Sequence, residues 1–165
     1  MDIDIIIPIY NAFDFVKKCI ETVIEHTDLT QHTLLLVNDK STDERILPLL
    51  NSFIKENQSL NIILIDNKDN QGFVRTVNIG MQYSHHDVVL LNSDTEVTRN
   101  WLSKIQNCAY SKPAVATVTP LSNNATLASV PVFLAENTIP PGLSVEEYAD
   151  IVEKCSMNLF PDIPT

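Results

Sequence analysis

Asn92, Ser93 and Asp94 close the apolar run Val88–Leu91 with an amide, a hydroxyl and a carboxylate. Oxygen donors grouped this way suit a hard divalent cation that shares its shell with a diphosphate, since such cations prefer oxygen and keep positions for non-protein ligands. The same three residue types also form ordinary turns, so the triplet alone has a plainer explanation. Its weight comes from three further polar clusters, each placed after an apolar run. Pro8-Ile9-Tyr10-Asn11 follows Ile5–Ile7, Asn38 to Asp43 follows Leu34–Val37, and Asp66 to Gly80 follows Ile62–Ile65.

The elements that must position these clusters are legible from the same pattern. The four apolar runs recur at intervals of about 26 to 29 residues, the size of a βαβ unit. Their apolarity is continuous rather than alternating, which means burial on both faces, as in a parallel sheet between helices. The fold class is α/β, a doubly wound, mostly parallel sheet with helices on both faces. In strand order 3-2-1-4 all four clusters meet at one edge, beside the crevice such sheets use for nucleotides. A fifth, milder apolar run spans Ala114–Val118.

Helices are expected between the runs. One starts after Asn11 as N-cap and carries Phe13, Val16, Ile20, Val23 and Ile24 at helical spacing. A second opens on the capping box Ser41-Thr42-Asp43-Glu44, with Pro48 tolerable only near its start. Others run from Gly72 to Tyr83, from Asn100 to Ala109, and from Ser144 to Lys154 with a Ser144–Glu147 box. Between Thr119 and Gly142 prolines and asparagines mark a long irregular connection with an extended piece at Ser129–Leu134. The expected organisation is one incomplete domain over 1–165, an α/β part over 1–118 and a connection plus helix over 119–165.

Composition narrows the classes. A chain of 165 residues with 44% apolar content can bury a core, and a net charge of −10 argues against nucleic acid as a partner. Cys19, Cys108 and Cys155 are far apart and form no C-x-x-C pair, so they suggest neither a zinc ribbon nor a disulfide framework. No apolar stretch approaches the roughly 20 residues that span a bilayer. The expected location is the cytoplasm, with a peripheral contact at the inner face of the membrane left open. No G-x-G-x-x-G or Walker sequence follows any run, which speaks against those phosphate cradles.

Taken together, Ile5-Ile6-Ile7-Pro8-Ile9-Tyr10-Asn11-Ala12 resembles the opening of family 2 glycosyltransferases, whose fold is called GT-A. Val37-Asn38-Asp39-Lys40-Ser41-Thr42-Asp43 resembles that family's V-D-D-G-S-T-D. Asn70-Gln71-Gly72-Phe73 and Asn78-Ile79-Gly80 resemble its N-x-G-F and N-x-G, and Asn92-Ser93-Asp94 falls where the family has D-x-D. The resemblance covers roughly Asp4 to Ile105, and Thr119 to Thr126 is similar to a segment of some bacterial members.

What the resemblance implies is a donor site for a UDP-, dTDP- or GDP-linked sugar and a glycan or lipid-linked acceptor. The backbone around Pro8, Ile9, Tyr10 and Asn11 lines the nucleotide, with Tyr10 beside base or ribose. Asp39 accepts from an imide N–H of the base. Asn70 and Gly72 also line the nucleotide, and Arg75, one turn past Gly72, reaches base or phosphate. Asn92 and Ser93 contact ribose or metal-bound water, and Asp94 ligates Mg²⁺ or Mn²⁺. The implied reaction is metal-assisted displacement with inversion, in keeping with the role of a cation beside a leaving diphosphate.

Two departures stand out: Lys40 replaces a glycine suited to positive φ, and Asn92 removes a charge from the metal position. The family's general base is expected beyond Thr165, so the chain reads as the donor-binding part of a longer enzyme, poorly active by itself. A catalytically idle nucleotide-binding module is the alternative. His85 and His86 read as exposed loop histidines, Trp101 as helix packing, and Asn67 and Asn70 as loop-shaping residues.

Overall fold

The computed structural model describes residues 1–157 and 159–161; Asp162 to Thr165, the end of the segment expected as connection plus helix, lie outside the described residues. The chain divides into two compact units, Met1–Val97 and Thr98 onward.

In the first unit, β1 (Ile3–Ile9), β2 (Thr33–Asn38), β3 (Ile62–Asp66) and β4 (Asp87–Leu90) form one sheet in the order β3-β2-β1-β4. All three pairings are parallel. β1 is buried along its whole length, as is β2 from Leu34 to Asn38, so the two central strands are covered on both faces. The flanking strands are only partly covered, with Ile63 and Leu90 among the exposed apolar side chains.

The helices α1 (Phe13–His26), α2 (Ile46–Glu56) and α3 (Phe73–Tyr83) alternate with the strands. α1 buries Val16, Cys19, Ile20 and Val23, the face its sequence spacing marks. α3 lies over a cluster of Ile6, Leu35 and Val37, flanked by Ile65, Ile79 and Val88. The close approach depends on Gly80, where an added Cβ would stand 2.6 Å from Ile6 Cγ2.

Pro8 reports where the sheet opens. A proline inside a parallel sheet would leave a ladder position empty. β4 pairs with β1 only from Ile3 to Ile6, and its last bond runs from Leu91 N to Ile6 O at 2.9 Å. β2 follows β1 further, to Ile9 opposite Asn38. Alternation turns residue 8 toward the β4 side, which has no strand at that level, so the missing N–H costs nothing there. β1 and β4 part just before this proline.

The second unit contains α4 (Trp101–Ala109) and α5 (Val145–Ser156). α5 begins with the expected capping box: Ser144 accepts from Glu147 N–H at 3.2 Å and Glu147 accepts from Ser144 N–H at 2.8 Å. Ala114–Val118, the fifth apolar run, forms no strand and is mostly exposed. Ser129–Leu134 is likewise not extended; the buried Asn137 gathers it into a knot. Its amide donates to Ser129 Oγ at 2.8 Å and Val132 O at 3.0 Å, and accepts from Val132 N at 3.1 Å. No helix among the described residues is long and apolar enough to cross a membrane.

Candidate functional site

Parallel strands send their carboxyl ends to one edge, and three of the four connections there are tied together by side chains. The first tie is Asn11. Its Oδ1 accepts from Thr42 N–H at 2.8 Å and Asp43 N–H at 2.9 Å, and its own N–H donates to Ser41 Oγ at 2.9 Å. This overturns two local expectations. Asn11 does not cap α1, whose N-cap is Ala12, and Ser41–Glu44 makes no capping box, because α2 starts later, after Arg45. The backbone groups a local cap would use are satisfied from 30 residues away.

The turn that carries Asn11 is strained. Asn11 and Ala12 both have positive φ, 58° and 56°, a region that costs a side-chain-bearing residue about 1–2 kcal/mol. Tyr10 beside them is half exposed. Pro8 and Ile9 are buried in the sheet, so only their backbone reaches the edge, and Ile9 O already accepts from Asp39 N at 2.8 Å.

Asp39 is the second tie and the most constrained polar group of the edge. It is buried, with 4% of its surface exposed. Oδ1 accepts from Asn67 Nδ2 at 2.9 Å and Gln71 N at 2.7 Å; Oδ2 accepts from Gly72 N at 2.8 Å. Burial alone would raise its pKa, but the donors Gln71, Asn67, Thr76 and Gly72 outweigh it and hold the carboxyl below its ordinary value. Gly72 has φ 77° and ψ 163°, a conformation open essentially to glycine, which lets its N–H turn to Asp39 and α3 begin at once.

Lys40 adopts φ 56°. The residue in place of glycine therefore takes the left-handed conformation itself. Asp43 pairs with Arg45, Oδ2 accepting from Nη2 at 2.7 Å, and that hydrogen-bonded partner lowers its carboxyl to about 2. Arg45 also lies 4.4 Å from the Phe13 ring centroid, joining the starts of α1 and α2. Asn70 is exposed and donates to Asp39 O at 3.2 Å. Arg75, in the first turn of α3, is exposed and has no ion pair with any described residue.

The loop after β4 is anchored differently, at two points on α1. Asn92 O accepts from Cys19 Sγ at 3.6 Å, and Val97 N donates to Thr22 Oγ1 at 3.3 Å. Cys19 and Thr22 are three residues apart and so share a helix face. Between the anchors Asn92 and Asp94 are exposed and Ser93 is half-buried. Asp94 makes no hydrogen bond or ion pair with a described residue, and among those residues no three His, Cys, Asp or Glu side chains are grouped to hold a metal. Burial pushes the Cys19 thiol up to about 12, eased by Thr95 N–H and reinforced by the charges of Asp94 and Glu96.

At the opposite edge the buried Asp4 accepts from Ser84 Oγ at 2.7 Å and His85 N at 3.1 Å, and faces His86 Nδ1 at 3.3 Å. These bonds clamp the start of β4 to β1. Sequence reasoning treated the two histidines as loop residues only; a carboxylate inside an apolar run is the signal that points to them.

Sequence reasoning gave Asn67 a loop-shaping part and overlooked Gln71 N–H, Thr76, Cys19 and Thr22 as anchors. Asn67 carries a sequence signal, since it stands two residues after the third apolar run. The anchors on α1 carry none, because only the fold brings them to the β4 loop.

Comparison with known proteins adds the relationship. Residues 4–138 match the family described as Glycosyl transferase family 2. The chain is 31% identical over 104 residues to polypeptide N-acetylgalactosaminyltransferase 11 of Xenopus tropicalis, covering 61% of this chain and 17% of that protein. It is 33% identical over 73 residues to poly(ribitol-phosphate) beta-glucosyltransferase of Bacillus spizizenii, covering 44% of this chain and 11% of that one. Among solved structures, mannosyltransferase PcManGT from Pyrobaculum calidifontis, in complex with GDP-Man and Mn²⁺, superposes with TM-score 0.67 at 17% identity. That match covers 72% of this chain and 35% of the other. The chain thus spans less than a fifth of the two curated relatives.

Proposed function

Because this chain belongs to glycosyl transferase family 2, we propose that it carries the donor-binding half of an enzyme that moves a sugar from a nucleotide diphosphate to an acceptor hydroxyl. The acceptor class is a glycan or lipid-linked sugar, and cell-surface polysaccharide synthesis is the setting.

The single observation that supports this best is the edge where β1 and β4 part. Tyr10, Asp39 and Asp94 lie on three connections that leave the parallel sheet at that edge, and β2 and β4 are two strand spacings apart, about 10 Å. That span suits a base at the Asp39 end and a diphosphate at the Asp94 end. Asp94 fits a hard cation: its oxygens are exposed and unpartnered, while the sparse protein shell leaves positions for phosphate oxygens. Mg²⁺ or Mn²⁺ bound there supplies charge stabilisation for the departing diphosphate. Asn92 and Ser93 hold ribose or water, Tyr10 flanks the base, and Asn70, Gly72 and Arg75 border it. The anchors at Cys19 and Thr22 fix the loop so that the Asp94 carboxylate would be presented to a cation in one geometry. Displacement inverts the anomeric carbon, and the general base lies outside these residues.

Titration calorimetry with UDP, dTDP and GDP, with and without Mn²⁺, tests the reading. Heat that depends on metal with at least one of them supports it; no metal-dependent heat with any removes it. The second reading, an idle nucleotide module, rests on Asn92 in place of an acid. Asp94→Ala separates the two, since only metal-assisted binding loses diphosphate affinity with that carboxylate.

A further inference from the structure

We propose that Thr22 and Cys19, on the buried face of α1, are positioning residues that hold the turn displaying Asp94 and thereby set how strongly a divalent cation joins a bound diphosphate. The inference rests on the metal-assisted reading above and deepens it to two side chains that act on the metal ligand without touching the metal.

Asp94 stands in a closed turn. Thr95 N donates to Asn92 O at 3.1 Å, which puts Ser93 and Asp94 in the two central positions. The ends of this loop are fixed as well: Leu91 and Val97 are buried, and Leu91 N donates to Ile6 O at 2.9 Å. Asp94 itself is exposed, and its carboxylate makes no bond to a described residue. A side chain without a bond of its own is aimed by its backbone, and therefore by whatever holds the turn.

Two side chains of α1 hold it. Cys19 sits at the mouth of the turn, where Sγ donates to Asn92 O at 3.6 Å and the Thr95 N–H faces the same sulfur. Thr22 holds the exit. Its hydroxyl proton is committed to Cys19 O at 3.0 Å, which leaves the oxygen to accept from Val97 N at 3.3 Å. Every backbone group held this way lies within three residues of Asp94.

Packing alone does not call for these residue types. The rest of the buried face of α1 is Val16, Ile20 and Val23, and valine has nearly the shape of threonine. A hydroxyl buried to 5% exposure costs free energy unless it is bonded, and its one bond outside α1 goes to the loop of Asp94. A turn released from α1 must lose its freedom when the cation binds, and that loss lowers affinity for the metal complex. The connections after β2 and β3 are held by Asn11 and Asp39 instead, so binding without metal should not feel the change.

The test titrates Thr22→Val, Thr22→Ser and Cys19→Ala with UDP, dTDP and GDP, beside the unaltered chain and Asp94→Ala. The quantity read is the factor by which Mn²⁺ raises diphosphate affinity. Thr22→Val and Cys19→Ala should each lower it about tenfold, the effect of one lost hydrogen bond plus a freed turn. Thr22→Ser keeps the hydroxyl and should keep the factor, and metal-free affinity should be the same in all. Amide exchange read without metal or nucleotide should quicken at Val97 in Thr22→Val and not in Thr22→Ser. An unchanged factor in Thr22→Val or Cys19→Ala, where Asp94→Ala abolishes it, overturns the inference and leaves metal-assisted binding standing. An equal loss in Thr22→Ser and Thr22→Val also overturns it, because the methyl group and not the hydroxyl bond would then matter. No metal-dependent heat from the unaltered chain with any of the three nucleotides removes the metal reading and the inference with it.

Discussion

Asn67 Nδ2 donates to Asp39 Oδ1 across 2.9 Å, and both side chains are buried. This pair fastens the loop after β3 to the end of β2 and fixes which carboxylate oxygen faces inward. A buried carboxylate held by neutral donors, with no cation beside it, is stable only while ionised.

Acid sensitivity follows. Asp39 and Asp4 both titrate below the ordinary value of 3.8. Depressed carboxyls contribute stability that is fully present above the unfolded value and disappears as pH falls through the folded one. Stability should therefore hold above pH 3.8 and decline below it. Asp39→Asn should cost about 1–3 kcal/mol at neutral pH, because its amide would face the N–H groups of Gln71 or Gly72 with a donor. It should also flatten the acid limb. Urea denaturation at several pH values reads both, and an unchanged acid limb would contradict the assignment.

Gly80→Ala should destabilise the first unit by about 1–3 kcal/mol through overpacking against Ile6. At this chain length that is roughly 2–4 °C of melting temperature per kcal/mol. Calorimetric melting checks it, and an unchanged melting temperature would mean that α3 does not approach β1 this closely.

Lys40→Gly should stabilise by about 0.5–1 kcal/mol, since relief of the left-handed backbone exceeds the entropy glycine adds to the unfolded chain. A destabilised variant would show that the lysine side chain contributes more than its backbone costs.

The three cysteines should differ in reactivity. Cys155 is exposed and Cys108 half-buried, whereas Cys19 is buried with its thiol raised to about 12. Two thiols should react with a disulfide reagent in the native state, and the third only after unfolding. Rapid native modification of Cys19 would place the β4 loop elsewhere.

The sheet was legible because β1 and β2 are apolar without alternation, a pattern few arrangements other than a two-sided parallel sheet accept. Its order and the family follow from the clusters after each run. Local chemistry was legible only where both partners are near in sequence. Ser144 and Glu147 cap α5 as read, three residues apart. Ser41 and Glu44 do not, because Asn11 reaches their loop from β1 and takes the N–H groups first. Asn137 similarly bends Ser129–Leu134 out of an extended form. Ala114–Val118 has the composition of a strand without a buried place to put it. The saturation of Asp39 was not legible at all, since each donor becomes its neighbour only through the fold.

Amide NMR spectra of the chain with Mn²⁺, recorded with and without UDP, test the central claim most directly. Paramagnetic broadening should appear when nucleotide is added and centre on Ser93, Asp94 and Thr95, and Asp94→Ala should abolish it. Broadening centred on other residues, or none with UDP present, would contradict the account.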